Sequence, residues 1–116
     1  MHEISIAQSL IDILNDNIKD IPVENNTRIV NINLKIGKLM AVVPESLEFC
    51  FEVLTKGTIM EGAKLNIENI SIKAKCNNCG HEFIADDYLF VCVVCGKSDV
   101  EVISGQELQI DNFEIE

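Results

Sequence analysis

Cys76-Asn77-Asn78-Cys79-Gly80 and Cys92-Val93-Val94-Cys95-Gly96 repeat one spacing, with twelve residues between Cys79 and Cys92, and the rest of the chain is read outward from them. A Cys-x-x-Cys step lets two sulfurs reach one ion from a tight turn. The glycine after each pair supplies the unusual backbone angles that such a turn needs. Four thiolates arranged in this way suit a tetrahedral zinc ion that has no open position for water or substrate. The site is therefore read as a staple, and any activity has to be sought elsewhere. A lobe of roughly thirty residues buries too little core to fold alone. Apparent zinc binding of about 10–16 kcal/mol decides whether it folds.

Other uses of the cysteines fit less well. Two disulfides belong to exported chains, but no apolar signal segment stands at the N-terminus, and the fifth cysteine, Cys50, would be left over. A thioredoxin-like redox site needs one Cys-x-x-Cys, not two. Rubredoxin-type iron sites share the Cys-x-x-Cys-Gly turn but set their pairs much farther apart.

Composition narrows the function. With 116 residues, 47% of them hydrophobic, the chain can form one modest domain plus the lobe. No apolar run approaches the length of a membrane span, and the cysteine usage points to a reducing compartment, the cytoplasm. The net charge of −10, to which a zinc tetrathiolate adds about two negative charges, repels phosphate backbones, so no nucleic-acid partner is expected. An enzyme is not expected either: there is no phosphate-binding glycine loop, no serine or cysteine nucleophile beside a base, and only two histidines.

Around the lobe the chain alternates between helical and strand periods. Ile4 to Ile18 is amphipathic, with Ile6, Ala7, Leu10, Ile13, Leu14 and Ile18 on one stripe. Its start is either a Ser5–Gln8 capping box or His2–Glu3. Val30, Ile32, Leu34 and Ile36 alternate with polar residues as a strand with one buried face. Pro44 opens a second helix to about Lys56, with Leu47, Phe51 and Leu54 inward and Gly57 as the stop. From Lys64 a second strand slips phase at Asn69, which predicts a bulge, and Leu108 to Ile115 slips similarly. Cys50 is read as a small core residue, and Phe83, Tyr88 and Phe90 as cover for the metal lobe. His81 donates to a zinc-bound sulfur, contacts a second metal or is simply exposed, the first or the last being favoured over ligation. The fold class is α+β: a three-stranded mixed sheet with two helices on one face and an inserted zinc-ribbon-like lobe. The first two strands run parallel through a helical crossover, and the strands flanking the lobe pair antiparallel.

The terminus Met1-His2-Glu3 gathers an amine, an imidazole and a carboxylate. The Met1 amine, the deprotonated His2 amide and the His2 ring nitrogen can close adjoining chelate rings around one ion, with Glu3 or another donor fourth. Such a planar nitrogen-rich set suits nickel(II) or copper(II). This opening, together with Val42-Val43-Pro44-Glu45-Ser46-Leu47-Glu48-Phe49, Leu54-Thr55-Lys56-Gly57-Thr58, Glu61-Gly62-Ala63, the two cysteine turns and Ile103-Ser104-Gly105, resembles the HypA/HybF nickel metallochaperones of hydrogenase maturation.

The resemblance implies nickel at Met1, His2 and Glu3 and structural zinc at Cys76, Cys79, Cys92 and Cys95. With the zinc lobe read as an insertion, the chain divides into a nickel-binding α/β domain over 1–72 and 106–116 and an inserted zinc-binding domain over 73–105. The implied partners are a HypB-type nucleotidase and the immature large subunit of nickel-iron hydrogenase, with urease maturation in some members. No membrane partner is implied, and both monomer and homodimer are compatible with the sequence. The alternative is a zinc-ribbon adaptor that binds protein without transferring nickel.

Overall fold

The computed structural model describes residues 2–22, 24 and 26–116. Its elements run α1 (Glu3–Ile18), β1 (Ile29–Gly37), a 3-10 turn (Lys38–Met40), α2 (Pro44–Leu54), β2 (Lys64–Ile70), β3 (Lys73–Cys76), β4 (Glu82–Ile84), β5 (Val100–Ser104) and β6 (Leu108–Ile115). Alternation in β1 fixes the centre of the first sheet. Ile32, Leu34 and Ile36 are buried, while the polar side chains between them form a row across three strands. Asn66 donates to Asn33 (3.0 Å), Asn33 to Asn112 (2.5 Å) and Asn31 to Glu114 (3.3 Å). The strand order is accordingly β2-β1-β6 in a mixed sheet, with two helices that pack against each other, as the α+β reading expects.

Helix α1 begins at Glu3, and His2 is its N-cap, whose carbonyl accepts the N–H groups of Ser5 (3.0 Å) and Ile6 (3.2 Å). The Ser5–Gln8 capping box does not form. The Ser9 hydroxyl donates to the Ser5 carbonyl and the Gln8 amide to Asp12. The buried stripe is Ile6, Ala7, Leu10, Ile11 and Leu14, with Ile13 38% exposed. At about 100° per residue Ile11 and Ile13 fall at opposite edges of that stripe, and the edge at Ile11 is the one that is buried. Helix α2 starts at Pro44, whose missing N–H costs nothing at that position. It stops at Leu54, two residues short of expectation, with Thr55 as its C-cap, and Gly57 follows in the left-handed region at φ +80°. Cys50 is half-buried, not a core residue.

The phase slip after Asn69 is a strand boundary, not a bulge. β2 ends at Ile70, and β3 opens a second sheet of order β4-β3-β5. The irregularity lies between Lys73 and Ala74, where β3 pairs with β5. β2 and β6, expected as antiparallel neighbours on either side of the lobe, occupy opposite edges with β1 between them. The expected antiparallel pair is found one step inward, as Ala74 opposite Val102 in β3 and β5.

Backbone contacts divide the chain into Met1–Leu34, Val42–Glu68 and Gln109–Glu116 as one compact unit and Lys35–Ala41 and Asn69–Leu108 as another. The first holds both helices and the aliphatic core. The second buries only a small set, with Ile36, Ile72, Ala74, Cys76, Ala85 and Cys92 each at 1% exposure or less. It draws in Lys35–Ala41 through close backbone contact: Leu39 N–H donates to Gly105 O (2.8 Å) and Gly37 N–H to Glu107 O (2.7 Å). A Cβ on Gly37 would overlap the Gly105 carbonyl, so glycine is required there. Among the described residues no helix is long and apolar enough to cross a membrane.

Candidate metal centre

Both cysteine turns are closed by the same two backbone bonds. Cys76 N–H donates to His81 O (2.9 Å) and Gly80 N–H to Cys76 O (2.9 Å). In the second turn Cys92 N–H donates to Lys97 O (2.9 Å) and Gly96 N–H to Cys92 O (2.8 Å). Gly80 and Gly96 sit at φ +79° and +75°, the left-handed region that a side chain would strain. Beyond each glycine the next backbone N–H reaches back to sulfur, His81 to Cys79 and Lys97 to Cys95.

The four Sγ atoms lie within 4.8 Å of one another. The shortest separations run across the turns, 3.6 Å for both Cys76–Cys95 and Cys79–Cys92. Disulfide sulfurs are about 2.05 Å apart, so the pairs are thiols or thiolates. A tetrahedral zinc–sulfur site with bonds of about 2.3 Å has edges of about 3.8 Å, and this cluster fits it. Each turn contributes one buried sulfur, Cys76 or Cys92, and one exposed sulfur, Cys79 or Cys95.

Packing four thiols together separates their acidities. At Cys79 the His81 amide favours the thiolate, but neighbouring Cys92, desolvation, and Cys76 and Cys95 together outweigh it and push the thiol up to about 11. At Cys95 the Lys97 amide prevails over desolvation, helped by Cys76, Cys92 and Asn78, and brings the thiol down to about 7. Exchanging the shared protons for one divalent cation relieves this competition.

Several supporting groups escaped the sequence reading. Asn77 donates its backbone N–H to Asp99 O (2.9 Å) and its side chain to Asp99 Oδ1 (3.2 Å), and Lys97 Nζ donates to Asn78 (3.4 Å). His81 places its backbone N–H on sulfur, while its ring stacks on Phe83 with centroids 6.1 Å apart. Tyr88, expected to cover the lobe, is 55% exposed. It sits at φ +62° and donates its hydroxyl to Lys38 O (3.2 Å). Lys38 Nζ in turn meets Asp86 (2.9 Å), whose other oxygen accepts the Ile72 N–H (2.8 Å). Lys38 and then the Ile72 amide hold the Asp86 carboxyl below its ordinary range.

Of the N-terminal residues, Met1 lies outside the described residues, His2 is exposed and Glu3 is half-buried. The His2 N–H belongs to the set that a helix start leaves unpaired, and it has no partner among the described residues.

A family model described as "Hydrogenase/urease nickel incorporation, metallochaperone, hypA" matches residues 1–115. Proteins named hydrogenase maturation factor HypA are 39% identical in Geobacter metallireducens, with both chains fully covered, and 40% identical in Desulfosudis oleivorans, covering 99% of this chain and 98% of that one. The solution structure of the nickel metallochaperone HypA from Helicobacter pylori superposes with a TM-score of 0.68 at 27% identity, covering 98% of this chain and 97% of that one.

Proposed function

Since the chain belongs to the HypA family of hydrogenase and urease nickel-incorporation metallochaperones, we propose that it binds nickel(II) at its N-terminus and delivers it to the large-subunit precursor of nickel-iron hydrogenase. The donors are the Met1 amine, the His2 amide and ring, and Glu3, on the terminal residues 1–3 of the α/β domain assigned to 1–72 and 106–116. Cys76, Cys79, Cys92 and Cys95 hold structural zinc in the inserted domain, 73–105. The chain acts as a carrier, not a catalyst, in the reducing cytoplasm. Its partners are a HypB-type nucleotidase and the hydrogenase precursor, with urease maturation as a second destination.

The observation that carries this reading is the exposed His2, without a side-chain partner among the described residues, at the start of α1 in a chain matched by that family model over residues 1–115. The His2 carbonyl is committed to the helix while its N–H has no partner among the described residues. A helix N-terminus carries partial positive charge, which favours the anionic amide a planar nitrogen chelate requires. A site with few protein ligands at a solvent-facing terminus also permits release, as a carrier must.

The test is calorimetric titration of nickel into zinc-loaded protein with a native Met1 terminus, beside protein carrying one extra residue before Met1 and beside His2→Ala. Binding by the native protein alone is the expected result. Equal binding by all three moves the site away from the terminus, with His81 the first residue to examine. No binding by any of them favours a zinc-ribbon adaptor without nickel transfer.

A further inference from the structure

The first unit holds a cavity of about 460 Å³ between α2 and the chain entering β2, a size within the range of ligand pockets. Its floor is apolar, with Phe51 2% and Leu65 6% exposed. Thr55, the buried polar residue in its wall, spends its hydroxyl on the Phe51 carbonyl (2.8 Å). No buried polar group is therefore left to orient a small polar metabolite. The rim is charged: Glu48 and Glu52 stand one turn apart on α2 and Glu61 stands across from them, with Lys56 and Lys64 completing the lining. None of these five side chains forms a hydrogen bond or ion pair with another described residue.

Further apolar surface is exposed elsewhere on α2. Phe49 and Val53, next along α2 from Glu48 and Glu52, are 65% and 48% exposed. A buried apolar floor with charges around it that pair with no other described residue matches the anatomy of a protein-recognition site, with a desolvated centre and a polar rim. Carboxylates outnumber ammonium groups at this rim, and the whole chain carries −10, so a cationic partner is drawn in and an anionic one turned away.

We propose that this groove docks a segment of a partner protein carrying an apolar anchor beside a single lysine or arginine. The anchor lies on Phe51 and Leu65, and the cation faces Glu48 and Glu52. The two lysines make the rim mixed, so a uniformly basic peptide fits less well. The site is separate from the terminal chelator and needs neither nickel nor its transfer.

The experiment uses the full-length, zinc-loaded, 15N-labelled protein without nickel. It is titrated with the blocked peptide Ac-Arg-Leu-Phe-Leu-amide and with its Glu-for-Arg counterpart. The Arg peptide should shift the amides of Phe51, Glu52, Ala63 and Leu65. Its affinity should fall about threefold or more in the Glu48→Lys/Glu52→Lys double variant, the loss expected for two reversed rim charges. Both substitutions are at exposed helix positions, and an unchanged spectrum elsewhere verifies the fold. The proposal is overturned by no shift at millimolar peptide, by shifts elsewhere, or by equal binding of the Glu peptide or of the double variant. Because nickel is absent, none of these outcomes depends on the terminal site.

Discussion

The two cysteine turns share a backbone and differ in surface. Both have the same pair of closing hydrogen bonds, a left-handed glycine, an amide aimed at the second sulfur, and one buried and one exposed cysteine. Between the cysteines, however, Asn77 and Asn78 are tied to Asp99 and Lys97, whereas Val93 and Val94 are 75% and 66% exposed. Cysteine and glycine thus set the fold of the turn, and the two residues between the cysteines are left to set its surface. Substitutions in the shared part should act alike in both turns, and substitutions in the differing part should not.

The largest effect tests the shared part. Cys76→Ser and Cys92→Ser each remove a buried sulfur, and either one should abolish zinc binding and unfold the second unit. A chelator added to the unaltered protein should do the same. Apart from the cysteines themselves, the core left there is Ile36, Ile72, Ala74 and Ala85, against about 10–16 kcal/mol of apparent zinc binding. Amide spectra should lose dispersion over residues 69–108 while α1 and α2 keep theirs. Lobe signals that survive metal removal would show that the apolar residues alone suffice.

Next in size, Gly80→Ala and Gly96→Ala should each cost about 1–2 kcal/mol, the penalty of a Cβ in the left-handed region, and the two should agree closely. No neighbouring atom meets the added Cβ at either position, so only backbone strain enters. Unequal losses in chemical denaturation with zinc present would mean that the turns are not equivalent.

The equivalence was plain in the sequence because spacing and glycine position encode it. The helices and β1 were plain for a similar reason, since their periods lie within a single segment. Strand order was not. Leu65 to Ala74 reads as one strand with a slip, and only the pairing of Ala74 with Phe83 and Val102 assigns its second half to another sheet. The Asn77–Asp99 and Lys38–Asp86 contacts, which join residues 22 and 48 positions apart, leave no local periodicity to detect. Tyr88 misled because an aromatic in a small lobe is usually cover, whereas here its hydroxyl reaches Lys38.

A smaller effect concerns Asp86, which holds Lys38 and the Ile72 amide and has no counterpart in either turn. Its folded-state pKa lies below the ordinary value of 3.8. Its contribution is therefore fully present above that unfolded value and is lost as pH falls through the depressed folded one. Asp86→Asn should lower Tm by the same few degrees at pH 8 and at pH 6. A decrement that fades between those two values would mean the carboxylate is not held in its charged form.

The smallest effects break the comparison where the turns differ. Asn77→Val removes the side-chain bond to Asp99, an exposed contact of 3.2 Å, and should cost about 0.5–1.5 kcal/mol. Val93→Asn, the reciprocal change, replaces a side chain that is already three-quarters exposed and should leave stability within about 0.5 kcal/mol. Both variants should keep zinc affinity, because the amides that point at sulfur come from His81 and Lys97, outside the exchanged positions. The informative quantity is the difference between the two losses in parallel denaturation. If Val93→Asn cost as much as Asn77→Val, the exposed valines would be contributing to the lobe itself, and the division between a backbone set by Cys-x-x-Cys-Gly and a surface set by the intervening residues would fail.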